Sequence, residues 1–378
     1  MSKIKKWLSQ IGAVQKVWFW SKYCIKRGIY FLAYIMISIL PERKNKMQEY
    51  PNTIQMPITY KCNFDCVMCG MRHLIKREDF TYEDLNIILQ DKLFHKIRSV
   101  GLNGGEPFIK EDLVQCVEVI LKNLPELKKI SIISNGFFTE KMCEKLAQIK
   151  AMCKERKVSV SLSLSVDGIG EMQNFHRGNK WAWEKLQATA SELLSNKQRY
   201  CDYLDIICTI TKYNIYHINE VECWAEGLNI PVAYNIATEN VRIDNHEKLE
   251  DFTIFNDEKA RMMAQEFFYC KFKQTHSQKY FAIYYFIRNR KRIAVCPCKN
   301  NEWVTLTPNC QLGYCATHSK ELGNAKEVSA YQLFHGNLPY HKELTTEHCS
   351  TCSHYSYGLD KDGKKKYIKE LLRIHKSV

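Results

Sequence analysis

The sequence predicts an α/β fold, a partial (β/α)6 barrel followed by a small cysteine-rich C-terminal domain. Three observations predict it. Between residues 54 and 236, short β-branched runs alternate with segments of helical apolar spacing. Several of those runs end in glycine or small polar residues, and beyond residue 296 the alternation gives way to clustered cysteines. Repeated βα units argue for a parallel sheet with helices outside, and right-handed crossovers curl such a sheet toward a barrel. Folds of this kind place their ligands at the C-terminal ends of the strands.

The predicted elements follow in order. Ile54–Tyr60 is a strand, and Thr81–Phe94 a helix opened by a capping arrangement of Thr81 with Asp84. Arg98–Leu102 is a strand ending in Gly104-Gly105-Glu106-Pro107, with helical spacing over Leu113–Leu124. Lys129–Ile133 ends at Ser134-Asn135-Gly136, and Glu140–Cys153 is the next helix. Val158–Val166 ends at Asp167-Gly168; helix Trp183–Leu194, strand Tyr203–Thr211, helix Ile218–Glu226 and strand Pro231–Ile236 complete the series. The chain thus divides into a basic, aromatic-rich leader (1–50), a core (51–240), a helical connector (241–295), a cysteine-rich domain (296–355) and a basic helix (356–378).

Composition narrows the class. Of 378 residues, 45% are hydrophobic and 25% charged, the balance of a chain with a sizeable core. The net charge of +14 is uneven: residues 1–50 carry +8 and residues 361–378 carry +5, so the body is nearly neutral. A nucleic-acid-binding protein carries its charge along the folded body, so no nucleic-acid partner is expected. Basic ends fit an anionic membrane surface or solvated termini. Within the leader, the uncharged run from Gly28 to Leu40 is too short to span a bilayer. It suits a helix lying in the membrane interface or packed on the protein itself. The expected location is cytoplasmic, peripheral on the inner face of the membrane.

Seventeen cysteines, an odd number in a long chain, argue against a secreted disulfide framework and for metal or cluster ligation in a reducing compartment. Cys62, Cys66 and Cys69 fall within eight residues just beyond the first predicted strand. Three thiolates on one loop can converge on one small cluster. They are one too few for a closed zinc or ferredoxin site, so one iron is left open.

The spacing CxxxCxxC after a first strand resembles the signature of the radical S-adenosylmethionine (radical SAM) superfamily, and the match continues in order over residues 54–240. The resemblance implies a TIM-type partial barrel and a [4Fe–4S] cluster held by Cys62, Cys66 and Cys69. It implies that S-adenosylmethionine chelates the fourth iron, and that its one-electron cleavage gives a 5′-deoxyadenosyl radical that takes hydrogen from a substrate. Gly104, Gly105 and Glu106 are similar to the motif whose backbone receives the methionine amino group. Asn135, Ser165 and Asp167 stand at the third and fourth strand ends, and Arg177 where relatives place an arginine against the carboxylate. Met68 replaces the aromatic residue often found near adenine and can fill that place by polarizable contact.

Cys296, Cys298, Cys310, Cys315, Cys349 and Cys352 form a second group. By spacing alone, zinc and iron–sulfur are equally served. The run from Cys298 through Thr307-Pro308-Asn309-Cys310 and Cys315 to the final CxxC resembles the auxiliary-cluster extensions called SPASM and Twitch. No cysteine follows Cys352, so the shorter Twitch form with one auxiliary [4Fe–4S] cluster fits. The resemblance implies Cys298, Cys315, Cys349 and Cys352 as ligands, with Cys296 as a replacement for Cys298. Cys310 stands where a turn glycine is usual.

The expectation is a radical SAM enzyme acting on a small sugar-like or lipid-linked molecule, with a peptide as the alternative substrate. An external one-electron donor such as a flavodoxin or ferredoxin would serve it. The rival is a non-catalytic electron carrier or zinc scaffold, which needs neither the glycine loop nor Arg177.

Overall fold

The computed structural model describes residues 28–37, 47–74, 78–354 and 357–374. Most of the expected leader lies outside these residues. Residues 28–37 are helical and turn Ile29, Phe31, Leu32 and Met36 to solvent.

Six parallel strands run in sequence order: Thr53–Thr59 (β1), Ser99–Gly104 (β2), Lys129–Ser134 (β3), Ser159–Ser165 (β4), Tyr203–Ile210 (β5) and Val232–Ile236 (β6). Alternation sets the two faces. Val100, Leu102, Ile130, Ile132, Val160, Leu162, Leu204 and Ile206 are buried in one continuous apolar core. Each such side chain contributes about 1.5–3 kcal/mol by leaving water. The helices Leu113–Asn123, Thr139–Glu155 and Ala182–Ser195 supply Val117, Ile120, Leu146, Ile149, Leu186 and Leu193 to that core. A second core gathers around β5 and β6. There Phe268 and Phe272 of Glu258–Thr275, Phe281 and Phe286 of Gln278–Asn289, and Leu371 of Lys361–Ile374 pack with Cys208, Ile210 and Tyr234.

The parallel α/β architecture is as expected, with three differences. The helix expected over Thr81–Phe94 ends at Ile88, although its capping box forms. Asp91 interrupts it by capping the short 3-10 helix Lys92–Phe94 and accepting from Ser329 Oγ and Tyr331 N. A helix over Glu171–Arg177, ended by Gly178 in the left-handed region, has no counterpart in the expected elements.

The third difference is larger. The cysteine-rich region reads as short of regular pattern, yet it extends the main sheet. Trp303–Leu306 (β8) pairs parallel to β1, Thr53 opposite Trp303, and Gln311–Gly313 (β9) and Gly323–Asn324 (β10) follow antiparallel. Val304, Leu306, Leu312, Tyr314 and Phe334 therefore share the principal core. A separate two-stranded ladder joins Ala294–Val295 (β7) to Tyr357–Leu359 (β11) on either side of the cysteine group.

Candidate active site

Cys62, Cys66 and Cys69 occupy the loop leaving the C-terminal end of β1, and all three line a cavity of about 590 Å3. Met68, Gly104, Gly105, Glu106, Asn135, Ser165 and Arg177 line the same cavity, as do Cys298, Cys315, Cys349 and Cys352. Of the residues expected to bind the cofactor or ligate a cluster, Asp167 alone does not reach this wall.

The cysteine loop is fixed on two sides. On one, Val67 N donates to His176 O at 3.0 Å. Gly178 has φ +62°, and a Cβ there would lie 2.1 Å from Asp65 O. Only glycine permits both that backbone and that approach. On the other side Gly70 N donates to Ile243 O at 2.9 Å, and Asn245 Nδ2 donates to Met68 O at 2.9 Å. Burial pushes the Cys62 thiol up to about 12 and Cys66 up to about 11; for Cys66, Arg177 opposes the shift. Cys69 is also raised by burial, against Arg242, Arg177 and Lys248. Ligation must therefore displace protons, and nearby cations favour the thiolate.

The glycine loop is shaped by contact between strand ends. Gly104 has φ +130°, and a Cβ on Gly105 would sit 2.0 Å from Lys61 O. Glu106 is buried and ties β2 to β3: it accepts from Ser134 Oγ at 2.8 Å, Asn135 N at 2.7 Å and Phe108 N at 3.2 Å. Burial raises its carboxyl to about 7 despite these bonds. Asn135 Nδ2 in turn donates to Asn63 Oδ1 at 2.9 Å, joining this loop to the cysteine loop.

Asp167, expected to touch the cofactor, is fully buried behind the wall. Its Oδ2 lies 2.6 Å from an Arg177 guanidinium nitrogen and 2.9 Å from His176 Nδ1. Burial alone would raise this carboxyl, but Arg177, His176 and the Thr209 N–H outweigh it and hold it low. Asp167 is a positioning residue: it aims Arg177, whose other terminal nitrogen reaches 3.9 Å from Cys66 Sγ.

The second group brings together five thiols, with Cys296 among them. Hydrogen bonds join Cys298 and Cys349 to Cys296, and Cys298 to Cys315; the first two favour the Cys296 thiolate. Cys352 feels the charge of Cys296 and Cys315. Arg292, which the sequence did not single out, stitches the segments: it donates to Ala294 O at 2.7 Å, Cys352 O at 3.2 Å and His354 O at 2.5 Å. His341 Nε2 bonds Cys298 O at 2.9 Å. Cys310 is elsewhere, in the β8–β9 turn at φ +65°, a left-handed position that suits glycine.

Among the described residues, no three His, Cys, Asp or Glu side chains stand close enough to hold a single metal ion. Thiolates that bind separate irons of one cluster need not converge on a point. Three thiols beside a backbone cradle that a Cβ would fill, with the Nε of Arg177 lacking a partner, fit a [4Fe–4S] cluster and a small zwitterion bound at its open iron.

A parallel barrel with three thiols on its first loop and a glycine cradle on its second defines a class of iron–sulfur enzymes. Residues 56–221 match the model of the Radical SAM superfamily, so the chain contains a radical SAM domain over that span. That family's cofactors are a [4Fe–4S] cluster and S-adenosylmethionine. The chain is 23% identical over 216 residues to a probable GTP 3′,8-cyclase of Sulfurisphaera tokodaii, covering 55% of this chain and 64% of that protein. To the probable GTP 3′,8-cyclase of Methanocaldococcus jannaschii it is 29% identical over 105 residues, 27% of this chain and 35% of the other. The chain thus spans about one third to two thirds of these relatives' length. Native anSMEcpe with bound AdoMet and Cp18Cys peptide shares the fold with a TM-score of 0.55 at 16% identity, covering 86% of this chain and 99% of that one. Streptococcus suis SuiB bound to precursor peptide SuiA gives 0.53 at 13% identity, covering 86% and 70%.

Proposed function

We propose that Cys62, Cys66 and Cys69 hold the catalytic cluster and that Cys298, Cys315, Cys349 and Cys352, with Cys296 as a replacement for Cys298, supply the four ligands of a second [4Fe–4S] cluster. The observation that carries this reading is that both cysteine groups line one cavity with the glycine loop and Arg177. With its cofactors bound, such a site supplies one-electron cleavage of S-adenosylmethionine and a 5′-deoxyadenosyl radical. This chain's residues do the rest. Gly104 and Gly105 present backbone at the cofactor's amino group, Arg177 meets its carboxylate, and Met68 borders its adenine. The cavity walls keep water from the radical. A flavodoxin or ferredoxin would deliver the electron, and the second cluster would accept one from a substrate radical.

Reconstitution with iron and sulfide without oxygen, followed by dithionite and S-adenosylmethionine, tests this. The wild type yields 5′-deoxyadenosine and about eight irons per chain. About four irons would reject the second cluster in favour of zinc, and absence of 5′-deoxyadenosine would favour a carrier. Cys66→Ala abolishes the product.

The substrate is a small, polar, sugar-like molecule. Gln55, Asn103, Thr209, Asn235 and Thr305 are among the residues that line the cavity, amide and hydroxyl side chains suited to a hydroxyl-rich ligand. The dialysable fraction of a cell extract should accelerate 5′-deoxyadenosine formation; stimulation confined to the peptide fraction would reverse the choice. A peptide is the second reading, because anSMEcpe and SuiB were both solved with peptides.

No described helix is long and apolar enough to cross a membrane. The exposed Ile29, Phe31, Leu32 and Met36, together with the basic ends, support peripheral contact with the inner membrane face, where a lipid-linked substrate would be met. Flotation of the full chain with anionic but not neutral vesicles is the expected result.

A further inference from the structure

The 3-10 turn Val241–Ile243 is clamped between the two cysteine groups. Gly70 N of the first loop donates to Ile243 O at 2.9 Å, and Val241 N donates to Thr317 O, two residues beyond Cys315, at 3.0 Å. Between these anchors Arg242 points into the cavity. One guanidinium nitrogen bonds Asn103 Oδ1 at the end of β2, while Nε is sealed from solvent without a hydrogen-bond partner.

No carboxylate among the described residues pairs with Arg242. Of the two acids on the cavity wall, Asp65 lies beside Lys248 and Arg72 at 3.6 and 3.8 Å. Glu106 is committed to Ser134, Asn135 and Phe108. Arg177, the other guanidinium on this wall, has Asp167 as its counter-ion. A sealed donor left without a hydrogen-bond partner is unfavourable, so the Nε of Arg242 on the wall of a reaction chamber calls for a ligand that completes it.

We propose that Arg242 anchors an anionic group of the substrate, a phosphate or carboxylate, and so holds the reacting carbon between the two cysteine groups. The proposal rests on the function given above and adds to it that the polar substrate is negatively charged. A guanidinium fork matches both oxyanions, and here its planar face is already oriented by Asn103. Arg242 also stands beyond β6 against the second group, away from the helix that carries Arg177, so the cofactor carboxylate and the substrate anion would have separate cations.

The test uses the reconstituted full chain with saturating S-adenosylmethionine, and equilibrium dialysis of labelled inorganic pyrophosphate and, separately, succinate. The wild type binds at least one probe. Arg242→Gln weakens that binding tenfold or more, while Arg242→Lys retains part of it. S-adenosylmethionine affinity and iron content stay within twofold in both variants, which shows that they fold. Three results overturn the proposal: no probe binding by the wild type, equal binding by Arg242→Gln, or loss of S-adenosylmethionine affinity in that variant. Formation of 5′-deoxyadenosine by the wild type is read in the same samples. Its absence with Arg242-dependent anion binding intact would reject the radical chemistry and leave the anion site standing.

Discussion

Arg177 and Asp167 meet at 2.6 Å out of reach of solvent, and the arginine's far side faces Cys66 Sγ at 3.9 Å. The carboxylate lets a guanidinium stay charged and aimed beside the cysteine loop without touching the cofactor itself. Asp167→Asn removes that counter-charge while keeping the shape. Breaking a buried pair costs about 3–5 kcal/mol, a loss readable by denaturant unfolding at neutral pH. The folded carboxyl is held below its ordinary value, so the wild type's advantage is present above about pH 4 and fades as acid is added through the folded value. A wild-type advantage that shows no decline at all as acid is added contradicts the assignment.

Glu106 makes the opposite case. Its carboxyl rises from 4.5 to about 7 on folding, so the folded state holds the proton more tightly than the unfolded chain. Stability therefore declines as pH climbs from about 4.5 to about 7, by on the order of 3 kcal/mol at roughly 1.36 kcal/mol per unit. Glu106→Gln cannot ionise, and its unfolding free energy should be flatter across that window. Parallel pH profiles for the two proteins would show that Glu106 does not titrate there.

Gly178→Ala tests the support beneath the first cysteine loop. The added methyl meets Asp65 O at 2.1 Å in a backbone conformation that alanine disfavours. The expected outcome is loss of about half the iron per chain, with the second group retained. Full iron content and full 5′-deoxyadenosine formation would mean that the loop tolerates the shift.

Two cysteines in the C-terminal region should behave differently. Cys310→Gly relieves a left-handed φ away from the cavity and should leave iron content unchanged. Cys349→Ala removes a thiol bonded to Cys296 and should lower iron by about four per chain while sparing part of the S-adenosylmethionine cleavage. Iron analysis separates them, and equal losses would place Cys310 among the ligands.

The strands and the cysteine triad were legible because both are local patterns. Alternating β-branched residues ending in Gly104-Gly105 or Asn135-Gly136 announce themselves within a few positions. The short helix over Glu171–Arg177 was not, since it spans only two turns, and its Gln173, His176 and Arg177 are buried polar residues rather than an apolar stripe. Asp167 looked like a contact residue because it closes a strand; only the fold shows it facing inward to Arg177 and His176. Nor could local spacing find Arg242 or Arg292, whose partners come from Asn103 and from the backbone of Cys352. The pairing of Thr53 with Trp303 joins residues too distant in sequence for any periodicity to register.

That same pairing governs how the protein can be divided. The strand that launches the first cysteine loop has β8 as its outer neighbour, so cutting the chain before Trp303 would strip one side of β1 of its backbone partners. A barrel shortened this way would carry a raw edge directly beneath its chemistry, inviting intermolecular strand addition and aggregation. Evolution could therefore not treat the last fifth of the chain as a detachable accessory, and neither can an expression strategy that seeks a minimal catalytic fragment.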